Sequence, residues 1–403
     1  MKKSVFILFI ILCFTIIPKE VFSQVRTEKL CMEFYGDSFC FSNTTQKVIT
    51  KKVEINETNF ASYFNKIDSN ELNIIVNDLL AYKNKFDLND WIYYQLVRKT
   101  ANQICSKKDN YNGYTFYKWY LMSKSGFDTK IVFENSNSLL LYIRSNENIY
   151  DIPFFMLDNK QYVCLNYHDF GKINFEKEKL QIVNISIAAA QKPFSYKVDK
   201  MPNFDPKTYN EKDLSFEYKN KTYQFKVKLN DQVQQIFKNY PVVDFESYFN
   251  IPLSKETYSS LIPFLKNNIK ELSKKEGIDY LMNFTRHAFL YENDQENFGK
   301  EKRMSPEQTL LFEYSDCDDR ASLFFYLVKE IYNLPMIAVL YPTHIAIAVQ
   351  FETPEGKPIE FNGRKYSICD PTPQKVDLLI GQISAELSKT AFQVVYEYIP
   401  TNK

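Results

Sequence analysis

Residues Glu313 to Phe351 read EYSDCDDRASLFFYLVKEIYNLPMIAVLYPTHIAIAVQF. Ser315 and Asp316 are good helix N-caps, so a helix is expected to begin there. Ala321, Phe324, Phe325, Val328 and Ile331 recur at helical spacing. Cys317 stands four residues before Ala321 and seven before Phe324, so it faces inward at the helix N-terminus. Unpaired N–H groups and the helix dipole favour a thiolate at such a place and can hold an oxyanion. Asp316, Asp318 and Asp319 act against this, because nearby carboxylates raise a thiol pKa. Asp316 is expected to cap the helix, and the other two to point to solvent or to Arg320.

A thiolate needs a base, and the base needs an orienting acceptor. His344 follows Pro342-Thr343 and starts HIAIAVQF, which alternates like a half-buried strand. Asp370 ends a second strand-like run, IEFNGRKYSICD from Ile359, and precedes Pro371. Cys317, His344 and Asp370 follow one another at intervals of 27 and 26 residues. A helix N-terminus packed on adjacent antiparallel strands would bring nucleophile, base and orienter together.

The blocks SDCDDRASLFFYLV, YPTHIAIAV and YSICDPT resemble the three motif blocks of the transglutaminase-like superfamily, most closely its exported bacterial members. FTRHAFLYENDQENFGKEKRMSPEQTLLFEY from Phe284 fits the same group, and the resemblance spans Leu261 to Gly381. It implies an α+β, papain-like core, with a Cys-bearing helix against an antiparallel sheet. It also implies that Cys317 is the nucleophile, His344 the general base and acid, and Asp370 the orienter. Many members carry Gly two residues before the Cys, whereas this chain has Ser315. Close backbone approach of a substrate is expected to be altered there.

Outward from this region the chain repeats itself. FASYFN from Phe60 returns as FESYFN from Phe245. Strand-like alternation precedes both copies, in MEFYGDSFCF from Met32 and LSFEYKNKTYQFKVKL from Leu214. Amphipathic helices are expected after both, over Asn70–Lys85 and Lys255–Ser273, followed by WIYYQLVRKTANQI from Trp91 and IDYLMNFTRHAF from Ile278. TFYKWYLMSKSGFDTKIVFE from Thr115 matches ASLFFYLVKEIYNLPMIAVLY from Ala321, and KQYVCLN matches RKYSICD. The second copy carries about 19 extra residues, around Tyr291 to Tyr314, just before Cys317. A tandem duplication is therefore expected: a degenerate unit with an N-terminal β segment over 24–200, a connector over 201–213, and a catalytic-type unit over 214–403. The offsets set Tyr111 opposite Cys317, Ser138 opposite His344 and Asn166 opposite Asp370. Residues 101–167 contain no histidine, so the first unit is expected to be inactive.

The chain opens MKKSVFILFIILCFTIIPKEVFSQ, a positive start and an apolar run before Val21 and Ser23, which reads as a signal peptide over 1–23. Six cysteines follow it; Cys31 and Cys40 flank a hairpin and can pair. With 50 Lys+Arg against 49 Asp+Glu, nothing in bulk charge recommends nucleic acid. Nine glycines leave no phosphate loop, and three histidines with these Cys spacings give no zinc set, so no cofactor or metal is expected. His287 is expected to be a packed or partly exposed helix residue, and His168 a surface loop residue. The second oxyanion donor is sought in the extra segment, with Gln308 and Tyr314 as candidates beside the Cys317 N–H.

The function expected is an exported, periplasmic or extracellular, cysteine-dependent acyl transferase that hydrolyses a peptide or amide, with transamidation open. Its partner would be a peptide or protein substrate of the cell envelope, with no nucleic acid and no stable membrane insertion after signal cleavage. The alternative is a non-catalytic peptide- or glycan-binding scaffold module of the envelope.

Overall fold

The computed structural model describes residues 29–42, 55–68, 70–134, 138–170, 181–292 and 302–401. The expected signal peptide lies outside the described residues. The first half opens with a hairpin, β1 (Lys29–Phe34) and β2 (Asp37–Ser42), closed by Tyr35-Gly36 at positive φ. Two-residue hairpin turns require that handedness, and a side chain at Gly36 would strike the main chain at Asn203–Asp205. Cys31 faces Cys40 across this ladder and is joined to it by a disulfide.

Four helices follow: α1 (Phe60–Ile67), α2 (Asn70–Phe86), α3 (Asp90–Ile104) and α4 (Tyr111–Lys124). Phe116, Tyr117, Trp119, Tyr120, Leu121 and Met122 of α4 are all buried, as expected of a helix that is apolar all round. It covers a sheet of β3 (Thr129–Glu134), β4 (Ser138–Arg144), β5 (Phe154–Leu157), β6 (Lys160–Cys164) and β7 (Gln181–Ile182). The sheet order is β5-β6-β4-β3-β7, antiparallel throughout.

The second half also opens with a hairpin, β8 (Asn210–Tyr218) and β9 (Lys221–Leu229), turning through Lys219-Asn220 at positive φ. Leu214, Phe216, Tyr218, Phe225, Val227 and Leu229 are buried, and the residues between them face out. Then come α5 (Gln232–Phe237), α6 (Phe245–Phe249), α7 (Lys255–Ile269), α8 (Lys274–His287), β10 (Leu290–Tyr291), α9 (Pro306–Leu311), β11 (Tyr314–Ser315) and α10 (Cys317–Tyr332). The closing sheet holds β12 (Met336–Tyr341), β13 (His344–Val349), β14 (Ile359–Phe361), β15 (Arg364–Cys369) and β16 (Gln393–Tyr398). Its order, β14-β15-β13-β12-β16, has the same connectivity as the first sheet.

The protein is thus α+β, with two curled antiparallel sheets. Leu323, Phe324, Leu327 and Val328 of α10 pack in one cluster with Ile345, Ile347 and Val349 of β13. Ala346 and Ala348 belong to a second cluster with Ile337, Val339, Tyr366 and Ile368. β13 is therefore covered on both faces, not half-buried. Its Ile/Ala alternation separates large from small side chains, not inside from outside. The expected connector also proves structured: Met201 and Phe204 are buried, and β8 begins within it at Asn210. Apolar side chains in that stretch outweigh its turn residues. No described helix is long and apolar enough to cross a membrane.

Candidate active site

Asp316 is the N-cap of α10, and its carboxylate accepts from the N–H groups of Asp318 at 3.0 Å and Asp319 at 3.3 Å. Cys317 is therefore the first helical residue. Its side chain packs against the core cluster that holds Ile345, the residue after His344. The β13–β15 register sets Ile347 opposite Cys369, which brings Asp370 beside the start of β13. His344 Nε2 and Asp370 Oδ2 are 3.0 Å apart, and the Asp370 carboxylate is fully buried. The other carboxylate oxygen accepts from the Thr372 N–H at 3.0 Å. The helix start, the strand start and the strand end thus meet at one corner of the sheet.

The electrostatics differ from the sequence expectation. Burial pushes the Cys317 thiol well above its ordinary range, and the Asp318 and Asp316 carboxylates add to this; the Ile345 N–H acts the other way. Desolvation and like charge outweigh the helix N-terminus here. Asp318 lies 3.6 Å from the sulfur through Oδ1. The three aspartates are also arranged differently. Asp318 pairs with Arg303 at 3.2 Å, not with solvent or Arg320. Asp319 is buried, accepts from the Met304 N–H at 2.8 Å and closes a capping box onto the Asp316 N–H.

Two arginines with no motif of their own frame the corner. Arg286, buried at the end of α8, donates through Nε to the main-chain carbonyl of Asp370 at 2.9 Å. Arg320, fully buried one turn after Cys317, donates to the carbonyls of Thr285, Arg286, Phe289 and Leu290. It therefore caps the C-terminal end of α8, where a cation is favoured. The neighbouring His287 ends α8 half-exposed, as expected, and pairs with Asp377 at 2.7 Å. Arg286 sits beside it in FTRHAF, and its target is a main-chain atom far along the chain.

The extra segment is docked by polar contacts. Glu307, buried in α9, accepts from the Ser254 N–H at 2.6 Å, the Ser254 hydroxyl at 2.8 Å and the Thr257 hydroxyl at 2.8 Å. Lys212 donates to the last carbonyls of α9 and to Phe312. The Gln308 carbonyl oxygen accepts from the Ser305 N–H in a capping box, which anchors the side chain to the start of its own helix. Tyr314 lies in β11, paired in parallel with β10. Ser315 is buried, and its hydroxyl has no hydrogen-bond partner among the described residues.

In the first half, Tyr111 begins α4 and Ser138 begins β4, the places that Cys317 and His344 hold in α10 and β13. Asn166 follows β6 as Asp370 follows β15. Its amide donates to the Tyr111 hydroxyl at 2.9 Å and clamps β4 through Leu139 and Leu141. His168 is exposed, as expected, in a 3-10 turn at 3.4 Å from Asp169. No protein-family model matches this chain, and no curated protein matches it.

Proposed function

We propose that the protein is an exported cysteine-dependent acyl-transfer enzyme that hydrolyses peptide or amide bonds. The observation that carries this is the His344–Asp370 hydrogen bond at 3.0 Å, with Cys317 packed against the same core cluster as Ile345, the residue after His344. In this reading His344 Nδ1 takes the thiol proton as Cys317 attacks the carbonyl. The C–N bond then breaks as His344 returns the proton to the leaving amine. Water, activated by the same imidazole, releases the acid; an amine in its place gives transamidation. Asp370 holds the ring and stabilises the imidazolium. The Cys317 N–H, first in the helix, holds the oxyanion. The raised thiol pKa favours proton transfer concerted with attack over a resting thiolate–imidazolium pair.

The fold reading that goes with this is a papain-like, transglutaminase-like core present twice, the first copy degenerate. The shared strand order of the two sheets supports it. The apolar leader and the Cys31–Cys40 disulfide support export to an oxidising periplasmic or extracellular compartment. The substrate is then a peptide or protein of the envelope.

The test is mass spectrometry of the intact protein incubated with an envelope peptide library. An acyl adduct on Cys317, lost in both Cys317→Ala and His344→Ala, supports the enzyme. The raised thiol pKa favours one other reading, a non-catalytic peptide- or glycan-binding scaffold of the envelope. That reading expects ligand capture with no adduct and no cleaved product.

A further inference from the structure

A cavity of about 450 Å³ lies between the first half and α5, away from Cys317. Arg98 and Lys99 of α3, Lys107 and Lys238 supply four cationic side chains to its wall, against a single carboxylate, Asp169. That carboxylate is already engaged, at 2.6 Å from Lys107 and 2.9 Å from the Tyr111 hydroxyl. Lys99 is tied at the rim to Glu33. Arg98 and Lys238 have no carboxylate within ion-pair distance among the described residues. The Arg98 guanidinium is held by Gln95 at 2.9 Å and lies over the Tyr94 ring at 5.8 Å. Its donors are thus fixed before any ligand arrives, which lowers the ordering cost of binding.

Beneath the cavity, Lys118 is fully buried with its ammonium over the Tyr114 ring at 4.5 Å. Burial, with Arg98 next, brings its pKa down to about 7. His168 in the wall is brought down to about 4, again by burial first, with the neighbouring cations adding to it. The cations reach the space from α3, from the α3–α4 connection and from the end of α5. Such an arrangement suits a compact multivalent anion better than a planar monocarboxylate, which one guanidinium satisfies. The volume leaves room for an attached group of sugar size beside Tyr35 and Tyr114.

We propose that this cavity is a binding site for a small phosphate monoester, gripped by Arg98 and Lys238. The site is independent of the Cys317 reading and stands whether or not that corner is catalytic. Occupancy would join α3 of the first half to α5 of the second through one ligand.

The test is thermal unfolding and isothermal titration of the full chain with ribose 5-phosphate, inorganic phosphate and acetate. Ribose 5-phosphate is expected to raise Tm saturably and to bind at least tenfold more tightly than acetate. Arg98→Gln should weaken it about 30-fold, the loss of a charge-assisted pair of hydrogen bonds. Lys238→Gln, at an exposed position that cannot compromise folding, should weaken it about fivefold. Cys317→Ala should bind as the wild type does. Equal affinity for acetate, an unchanged response in Lys238→Gln, or no saturable binding by the folded wild type would each overturn the proposal.

Discussion

The guanidinium of Arg286 holds the main-chain carbonyl of Asp370, the residue whose carboxylate meets His344. The arginine does not neutralise that carboxylate through its own oxygens; it fixes where the strand end lies. Arg320 in turn holds the carbonyl of Arg286. The helix that carries Cys317 is therefore tied through α8 to the strand end that carries Asp370.

Breaking this tie should separate activity from folding. Arg286→Lys keeps the charge but loses the two-pronged grip on one oxygen. Cys317 acylation is expected to fall by about 100-fold, since misplacement of about 1 Å costs that much. Stability should fall by about 1–3 kcal/mol for the carbonyl left short of a partner. Single-turnover adduct formation and urea unfolding measure the two. Unchanged acylation in a destabilised variant would leave Arg286 merely structural.

Asp318 should set the pH at which Cys317 reacts. Its charge, after burial, raises the thiol pKa. Asp318→Asn removes that charge and leaves Arg303 unneutralised nearby. The midpoint of iodoacetamide alkylation against pH is expected to move down by about one unit, a tenfold gain in rate below the midpoint. A midpoint that stays put would show that burial alone sets the thiol.

Glu307 gives the α9 segment a pH dependence of definite sign. Burial raises its pKa above the ordinary glutamate value, although its hydrogen bonds act the other way. A raised carboxyl binds its proton more tightly in the folded state. Its contribution to stability is complete below the unfolded pKa and lost as pH rises through the folded one. Glu307→Gln should flatten the unfolding free energy across that window. Titration of Tm from pH 4 to 7 checks it; identical slopes in both proteins would refute the assignment.

The disulfide should stabilise the N-terminal hairpin. Closing a loop of about ten residues is worth about 2–3 kcal/mol in the chain-entropy account. Cys31→Ser with Cys40→Ser is expected to lower the urea midpoint and to remove its response to reductant. A wild-type midpoint indifferent to reductant would show that the hairpin unfolds separately from the rest.

Much of this architecture was legible in short-range pattern. The helix expected over Asn70–Lys85 is α2, and Asp316 caps α10 as its side chain suggests. The hairpins show in the alternation of MEFYGDSFCF and LSFEYKNKTYQFKVKL, because one face of each pairs with the core. What stayed hidden depends on distant partners. Arg286 and Arg320 bind main-chain carbonyls, and any residue can supply a carbonyl, so no pattern marks the target. Asp319 is expected, with Asp318, to face solvent or Arg320, but it is met by the N–H of Met304, which comes from a distant part of the chain. The thiol's environment was misjudged for the same reason: a helix start is visible in sequence, but the depth to which it is buried is not.

β10 and β11 clasp each other in parallel, with the Leu290 N–H on the Glu313 carbonyl at 3.0 Å. The segment between α8 and α10 is stitched shut where it leaves one helix and rejoins the other. Insertions or deletions between those stitches that spare Arg303 and Met304, the partners of Asp318 and Asp319, would transmit little leverage to the nucleophile. Evolution could then retailor what enters this corner while the reacting atoms keep their places.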